Sequence, residues 1–192
     1  MLTLRKAAAV ALALAVSLTA CTGGDDEPKP EPDTTDVEVP EGVTLTSAGS
    51  TIPLGDSASV VYQPRNAAQT VVTISVDEIT RGTPKDLKGY DLDGLPANSV
   101  PYYVDASIRN AGPAVLARAA VPLYGLDSAN SYFEPVEVSG AVKGCKPLTL
   151  GAHVKPGTVR SGCLVFAVPP KRTFKGVQVR TTDLNQPVSW RP

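Results

Sequence analysis

The sequence predicts an all-β fold, an antiparallel sandwich carrying one disulfide, and three observations point there. Beyond residue 45, short β-branched runs recur between Gly, Pro, Asn or Asp at roughly eight- to twelve-residue spacing. Within several of these runs apolar and polar side chains alternate, the period of a strand half-buried in a sheet. The chain has three cysteines, and Cys21 sits at the end of an apolar leader, which leaves Cys145 and Cys163 as an isolated pair.

The elements follow in order. Residues 58–62 (ASVVY) and 69–80 (QTVVTISVDEIT) come first, and in the second Val72, Ile74 and Val76 alternate with Thr73, Ser75 and Asp77. Residues 102–110 repeat the pattern. Tyr102, Val104, Ala106 and Ile108 face one way, while Tyr103, Asp105, Ser107 and Arg109 face the other, before Asn110-Ala111-Gly112-Pro113 breaks the run. Later strands are expected at 131–138, 159–168 and 174–181, with Val188-Ser189-Trp190 closing the chain. The run at 159–168 is apolar on both faces after Gly162, which predicts a central strand. Residues 114–120 (AVLARAA) are the one helical candidate and suit a short strand equally well. About seven strands at this spacing predict a sandwich of immunoglobulin type, with a closed barrel as the alternative.

The start of the chain predicts export. Arg5 and Lys6 precede an uncharged, mostly apolar run at 7–18, shorter than the roughly 18 apolar residues of a spanning helix. Leu18-Thr19-Ala20-Cys21 resembles the lipobox of bacterial lipoproteins. That resemblance implies a signal peptide over 1–20, cut before Cys21, and lipid on the Cys21 thiol as the anchor to the outer face of the cell membrane. Residues 21–45 then form an acidic, Pro-rich tether, and 46–192 the sandwich domain. Residues 22–41 hold eight acids, one base and four prolines, a composition that self-repels and cannot bury a core. Residues 42–192 hold 15 bases and 11 acids, a mild surplus suited to anionic wall polymers or lipid head groups. No basic cluster is interleaved with aromatics, so nucleic acid is not an expected partner.

In an oxidising compartment Cys145 and Cys163 are expected to pair. The enclosed loop of about 17 residues would contribute on the order of 3 kcal/mol in the chain-entropy model.

The order of several segments resembles the immunoglobulin-like domain of a group of uncharacterised actinobacterial lipoproteins. They are Arg81-Gly82-Thr83 with Asp86-Leu87, Pro101-Tyr102-Tyr103-Val104 leading to Arg109-Asn110-Ala111-Gly112, Pro122-Leu123-Tyr124-Gly125, Cys145, Lys155-Pro156-Gly157, Cys163-Leu164-Val165-Phe166 and Val188-Ser189-Trp190. The resemblance spans residues 50–190. It implies the Cys145–Cys163 pairing and no agreed activity.

Catalytic chemistry finds no support. Nucleophilic sets need a base beside the nucleophile, and the single histidine, His153, lies in a turn-rich stretch with no acid within seven residues. Asp91-Leu92-Asp93-Gly94 begins like a calcium loop, but position twelve is Tyr102 instead of glutamate. Asp91 and Asp93 therefore remain at most a weak calcium pair. Asp77 and Glu78 are adjacent in a strand and should point to opposite faces. Of the aromatic residues Tyr62, Tyr90, Tyr102, Tyr103, Tyr124, Tyr132, Phe133 and Trp190, most are expected in the core or at its rim. Tyr103 and Tyr124 are the candidates for an exposed sugar- or peptide-contacting surface, and Trp190 should pack the last strand down. No catalytic residue, cofactor or metal is expected. The function expected is a membrane-anchored, non-enzymatic binding or scaffolding module at the cell envelope, with an envelope protein or wall polymer as partner. The alternatives are a solute-capture lipoprotein serving a transporter and an accessory envelope hydrolase.

Overall fold

The computed structural model describes residues 37–192 apart from 66–67, 91–93, 118, 138–141, 143 and 181–184. The expected signal peptide at 1–20, Cys21, the tether up to residue 36, and Asp91 and Asp93 lie outside the described residues.

In chain order the strands are β1 (Thr51–Ile52), β2 (Ser57–Tyr62), β3 (Thr70–Arg81), β4 (Val100–Asn110), β5 (Leu116–Ala117), β6 (Leu123–Asp127), β7 (Tyr132–Phe133), β8 (His153–Val154), β9 (Val159–Val168), β10 (Phe174–Val179) and β11 (Val188–Trp190). A 3-10 turn, Pro84–Leu87, joins the β3 end to the approach of β4. The protein is an all-β sandwich. A four-stranded sheet, β2-β3-β4-β9, packs against a five-stranded sheet, β1-β11-β10-β6-β7, and β5 and β8 form a small separate ribbon.

The alternation read from the sequence sets which face is buried. Val72, Ile74 and Val76 of β3 and Val104, Ala106 and Ile108 of β4 are buried against Leu123, Phe174, Val177, Val179, Val188 and Trp190 of the other sheet. Between these residues stand Thr73, Ser75, Ser107 and Arg109, on the outer face. Fully burying each such Val, Leu, Ile or Phe is worth about 1.5–3 kcal/mol, and this apolar layer supplies most of the drive to fold. Trp190 is fully buried and its indole Nε1–H donates to the Asp56 carbonyl at 3.1 Å, so it does pin the last strand.

Four local expectations are corrected or decided. β1 pairs with β11 in parallel, because the first and last strands meet at a sheet edge and no hairpin constrains their directions. Of the two readings left open for residues 114–120, the strand is the one observed, as β5. The strand expected at 131–138 shrinks to β7, after which the chain leaves the five-stranded sheet and the Val136 N–H donates to Val165 of β9 at 2.8 Å.

The fourth concerns β9, which is apolar on both faces yet lies at the edge of its sheet. Its inward residues Leu164, Phe166 and Val168 meet the main core. Its outward residues Cys163, Val165 and Ala167 sit under a second small cluster with Leu87, Val142 and Cys145. The free edge is occupied too: the Cys163 N–H donates to the Lys146 carbonyl at 2.7 Å and the Leu148 N–H to the Cys163 carbonyl at 3.0 Å. Gly162 permits this approach, since a Cβ there would fall 2.8 Å from the Leu148 backbone. Cys145 and Cys163 form the expected disulfide, with Cα atoms 5.2 Å apart.

Candidate functional site

A concavity lies where β3 hands over to β4. Arg81 ends β3, and the chain must then turn across the Tyr103 ring. Gly82 makes this possible: a Cβ would lie 2.7 Å from both Asp86 Oδ2 and Tyr103 Cε2. The 3-10 turn that follows is held by Asp86, whose Oδ2 accepts from the Thr83 N–H at 2.8 Å and whose Oδ1 accepts from the Thr83 hydroxyl at 2.9 Å. These bonds to Thr83, backbone first, hold the exposed Asp86 carboxyl below its ordinary value. Burial, and then the neighbouring Asp86 charge, push the Tyr103 phenol up. The Arg81-Gly82-Thr83, Asp86-Leu87 and Tyr102-Tyr103 segments are thus one local structure, in which Leu87 is plugged into the small outer cluster. Between this turn and residues 94–98 opens a groove of about 570 Å³, with Leu87 and Leu95 among its apolar residues and Lys85, Lys88, Tyr90 and Asn98 supplying polar groups. Its size lies within the range of small-molecule pockets.

Asp77 and Glu78 depart from the sequence expectation. A β-bulge interrupts the β3–β4 register between Val76 and Glu78, so the strict alternation of faces fails there. Asp105 of β4 feels both carboxylates: burial first, then the charges of Glu78 and Asp77, raise its pKa. Among the described residues no group of three or more His, Cys, Asp or Glu is arranged to hold a metal ion.

His153 lies in the strand β8 and not in a turn, opposite Ala117 of β5, and its side chain is exposed. The exposed tyrosine is also a different one. Tyr103 and Tyr124 are largely covered, whereas Tyr132 is 52% exposed. Nothing in the periodicity marks Tyr132, because β7 is two residues long; the preceding Ser128-Ala129-Asn130 turn was the available signal.

Two polar hubs were also invisible in the sequence. Asn110 is fully buried, and its Nδ2 donates to the carbonyls of Ala114 and Val154 at 2.7 and 2.9 Å. Asp127 is buried at the end of β6, accepts from the N–H groups of Ala129 and Ser131, and pairs with Arg172 at 2.6 Å. Both tie turns to strands.

No helix among the described residues is long and apolar enough to cross a membrane. No family model matches the chain, and no curated protein matches it. A solved structure similar to it is that of MPT63, a secreted protein from Mycobacterium tuberculosis, with 15% sequence identity, a TM-score of 0.48, and coverage of 77% of this chain and 100% of that one. The sandwich is read from the chain's own strand pairing.

Proposed function

We propose that the chain is a lipid-anchored extracytoplasmic protein whose sandwich binds or scaffolds at the cell envelope without catalysing a reaction. The Cys145–Cys163 disulfide is the observation that carries this reading, because such bonds persist where proteins are exported and are rare in the reducing cytosol. The apolar leader, the Leu18-Thr19-Ala20-Cys21 motif and the acidic spacer agree with it. A domain held off a membrane on a spacer is placed to meet polymers or proteins of the envelope. Labelling with a fatty-acid probe should mark the native chain and not Cys21→Ser, and pull-down from the native envelope with the tether intact should recover a partner. Labelled Cys21→Ser would end the lipobox reading, and an envelope that yields no partner would end the binding reading.

The groove beside Lys85 and Lys88 favours a second reading, capture of a small solute for a transporter. Under it, a low-molecular-mass extract of the growth medium should raise Tm, and Leu95→Glu should abolish the rise. No shift in the wild type sets that reading aside.

A further inference from the structure

On the outer face of the five-stranded sheet, Tyr124 and Leu126 of β6 alternate with the inward Leu123 and Gly125, and Gln178 of β10 lies opposite Tyr124. Tyr132 of β7 pairs with Leu126 at the sheet edge. The Arg180 guanidinium carbon stands 4.1 Å from the centre of the Tyr132 ring, and the Tyr124 ring meets that ring at 88° with centroids 6.3 Å apart. With Arg180 in place over it, Tyr132 still leaves 52% of its surface open. Among the described residues Arg180 has no carboxylate partner. The Gln178 side chain is buried, 6% exposed.

We infer that this Tyr132–Arg180 surface is a contact site for an anionic polysaccharide, a sugar polymer bearing carboxylate or phosphate groups. The inference rests on the reading of the sandwich as an envelope-binding module and names its ligand. An aromatic face is electron-rich and matches the weakly positive C–H face of a sugar ring. A guanidinium with no carboxylate partner among the described residues, oriented by its stack on tyrosine, is suited to bidentate binding of a carboxylate or phosphate. Tyrosine and arginine are enriched at protein interfaces too, but such an interface also needs a broader apolar centre. Of the large apolar side chains exposed among the described residues, Val39, Val115, Tyr132 and Val159, only Tyr132 lies on this sheet.

The test is affinity electrophoresis of the full mature lipoprotein in detergent, through gels containing either polygalacturonate or its neutral methyl ester. Polygalacturonate should retard the wild type more than the ester does. Tyr132→Ala should weaken retardation about tenfold or more, while Tyr132→Phe keeps it. Arg180→Gln, which leaves the apolar core intact, should remove the preference for the charged polymer. Lys175→Gln, an exposed cation elsewhere on β10, should change neither. If Tyr132→Ala and Arg180→Gln, both folded by circular dichroism, behave as wild type, the site is overturned. Equal weakening by Lys175→Gln and Arg180→Gln overturns it as well, by showing only diffuse charge attraction. No retardation by either polymer, with envelope pull-down intact, overturns the polysaccharide site and leaves the binding module standing. A protein partner lost only in Tyr132→Ala does the same and gives the surface to a protein. Loss of both retardation and pull-down in the wild type overturns the two together.

Discussion

The space between the two sheets and the small layer laid over Cys163 are both buried and apolar, but they close by different means. Between the sheets, alternate residues of long strands meet in numbers: Val72, Ile74, Val76, Val104, Ile108, Leu164 and Phe166 on one side, Leu123, Phe174, Val177 and Trp190 on the other. Over Cys163 the buried set is Leu87, Val142, Cys145, Cys163, Val165 and Ala167. So few side chains remove little apolar surface from water, and this layer depends on the disulfide, on the backbone bonds of Lys146 and Leu148 to Cys163, and on the space that Gly162 leaves. The difference teaches where stability is spread over many residues and where it hangs on a few.

Trp190→Ala should have the largest effect. It removes a fully buried ring and the Nε1–H bond to Asp56 that anchors β11. Large-to-small changes of this kind cost about 3–5 kcal/mol, and total stability is about 5–15 kcal/mol. Thermal unfolding should shift down by roughly 10 °C or more, as one cooperative transition. A two-step transition would break the picture of a single main core.

Replacing both Cys145 and Cys163 with alanine should cost up to about 3 kcal/mol, and the loss should be local. Amide exchange should quicken at Val136, Leu148 and Cys163, whose N–H groups serve the layer, while the β3–β4 amides keep their protection. Equal acceleration in both places would show that the layer and the core open together, and the comparison would fail.

Acid titration sharpens the same contrast with smaller effects of opposite sign. At Asp127 burial raises the pKa, but the Arg172 bond and the N–H groups of Ser131 and Ala129 outweigh it, and the folded value lies below the ordinary 3.8. Its contribution is present above 3.8 and is lost as pH falls through the lower folded value. Arg172→Gln should therefore move the acid-unfolding midpoint to higher pH. At Asp105 burial and the charges of Glu78 and Asp77 raise the folded value above 3.8. Its protonated form is favoured on folding, so stability is lost as pH rises through that folded value. Asp105→Asn should raise Tm slightly at pH 7, and the gain should vanish in acid. A variant less stable than wild type at pH 7 would mean that Asp105 has a partner that matters more than its repulsion.

The elements written in alternation were legible. β3, β4 and β9 stand within two residues of their expected bounds, and their inward residues are the core. β6 was not recognised as a strand, because Gly125 and the buried Asp127 interrupt its pattern and its burial depends on rings and charges distant in sequence. The bulge beside Glu78 was hidden, since alternation assumes a register that only pairing with β4 reveals. The apolar outer face of β9 and the disulfide beneath it were visible, but not the strand's place at the sheet edge. Buried on both faces usually means central, and here an edge strand is covered by a disulfide-tied segment from another part of the chain. For the candidate surfaces, the sequence named Tyr103 and Tyr124, whereas exposure selects Tyr132 and the stack selects Arg180, and neither is set by local spacing.

The smallest effect is expected in the β5–β8 ribbon, which belongs to neither sheet. Its Val154 and Leu116 are buried in the main core, and His153 turns the opposite way, exposed across from Ala117. The backbone bonds of a strand survive a side-chain change, and Val154 keeps its carbonyl bond from Asn110. Exposed substitutions of this kind usually shift stability by less than about 0.5 kcal/mol. His153→Ala should therefore leave Tm within about 1–2 °C of wild type and leave export and partner recovery unchanged. The single imidazole of the chain is where any histidine-dependent mechanism would have to run. If His153→Ala folded and localised normally yet reproduced a deletion phenotype, the non-enzymatic reading would give way, and the acid partner would have to come from another strand, since none lies within seven residues of it.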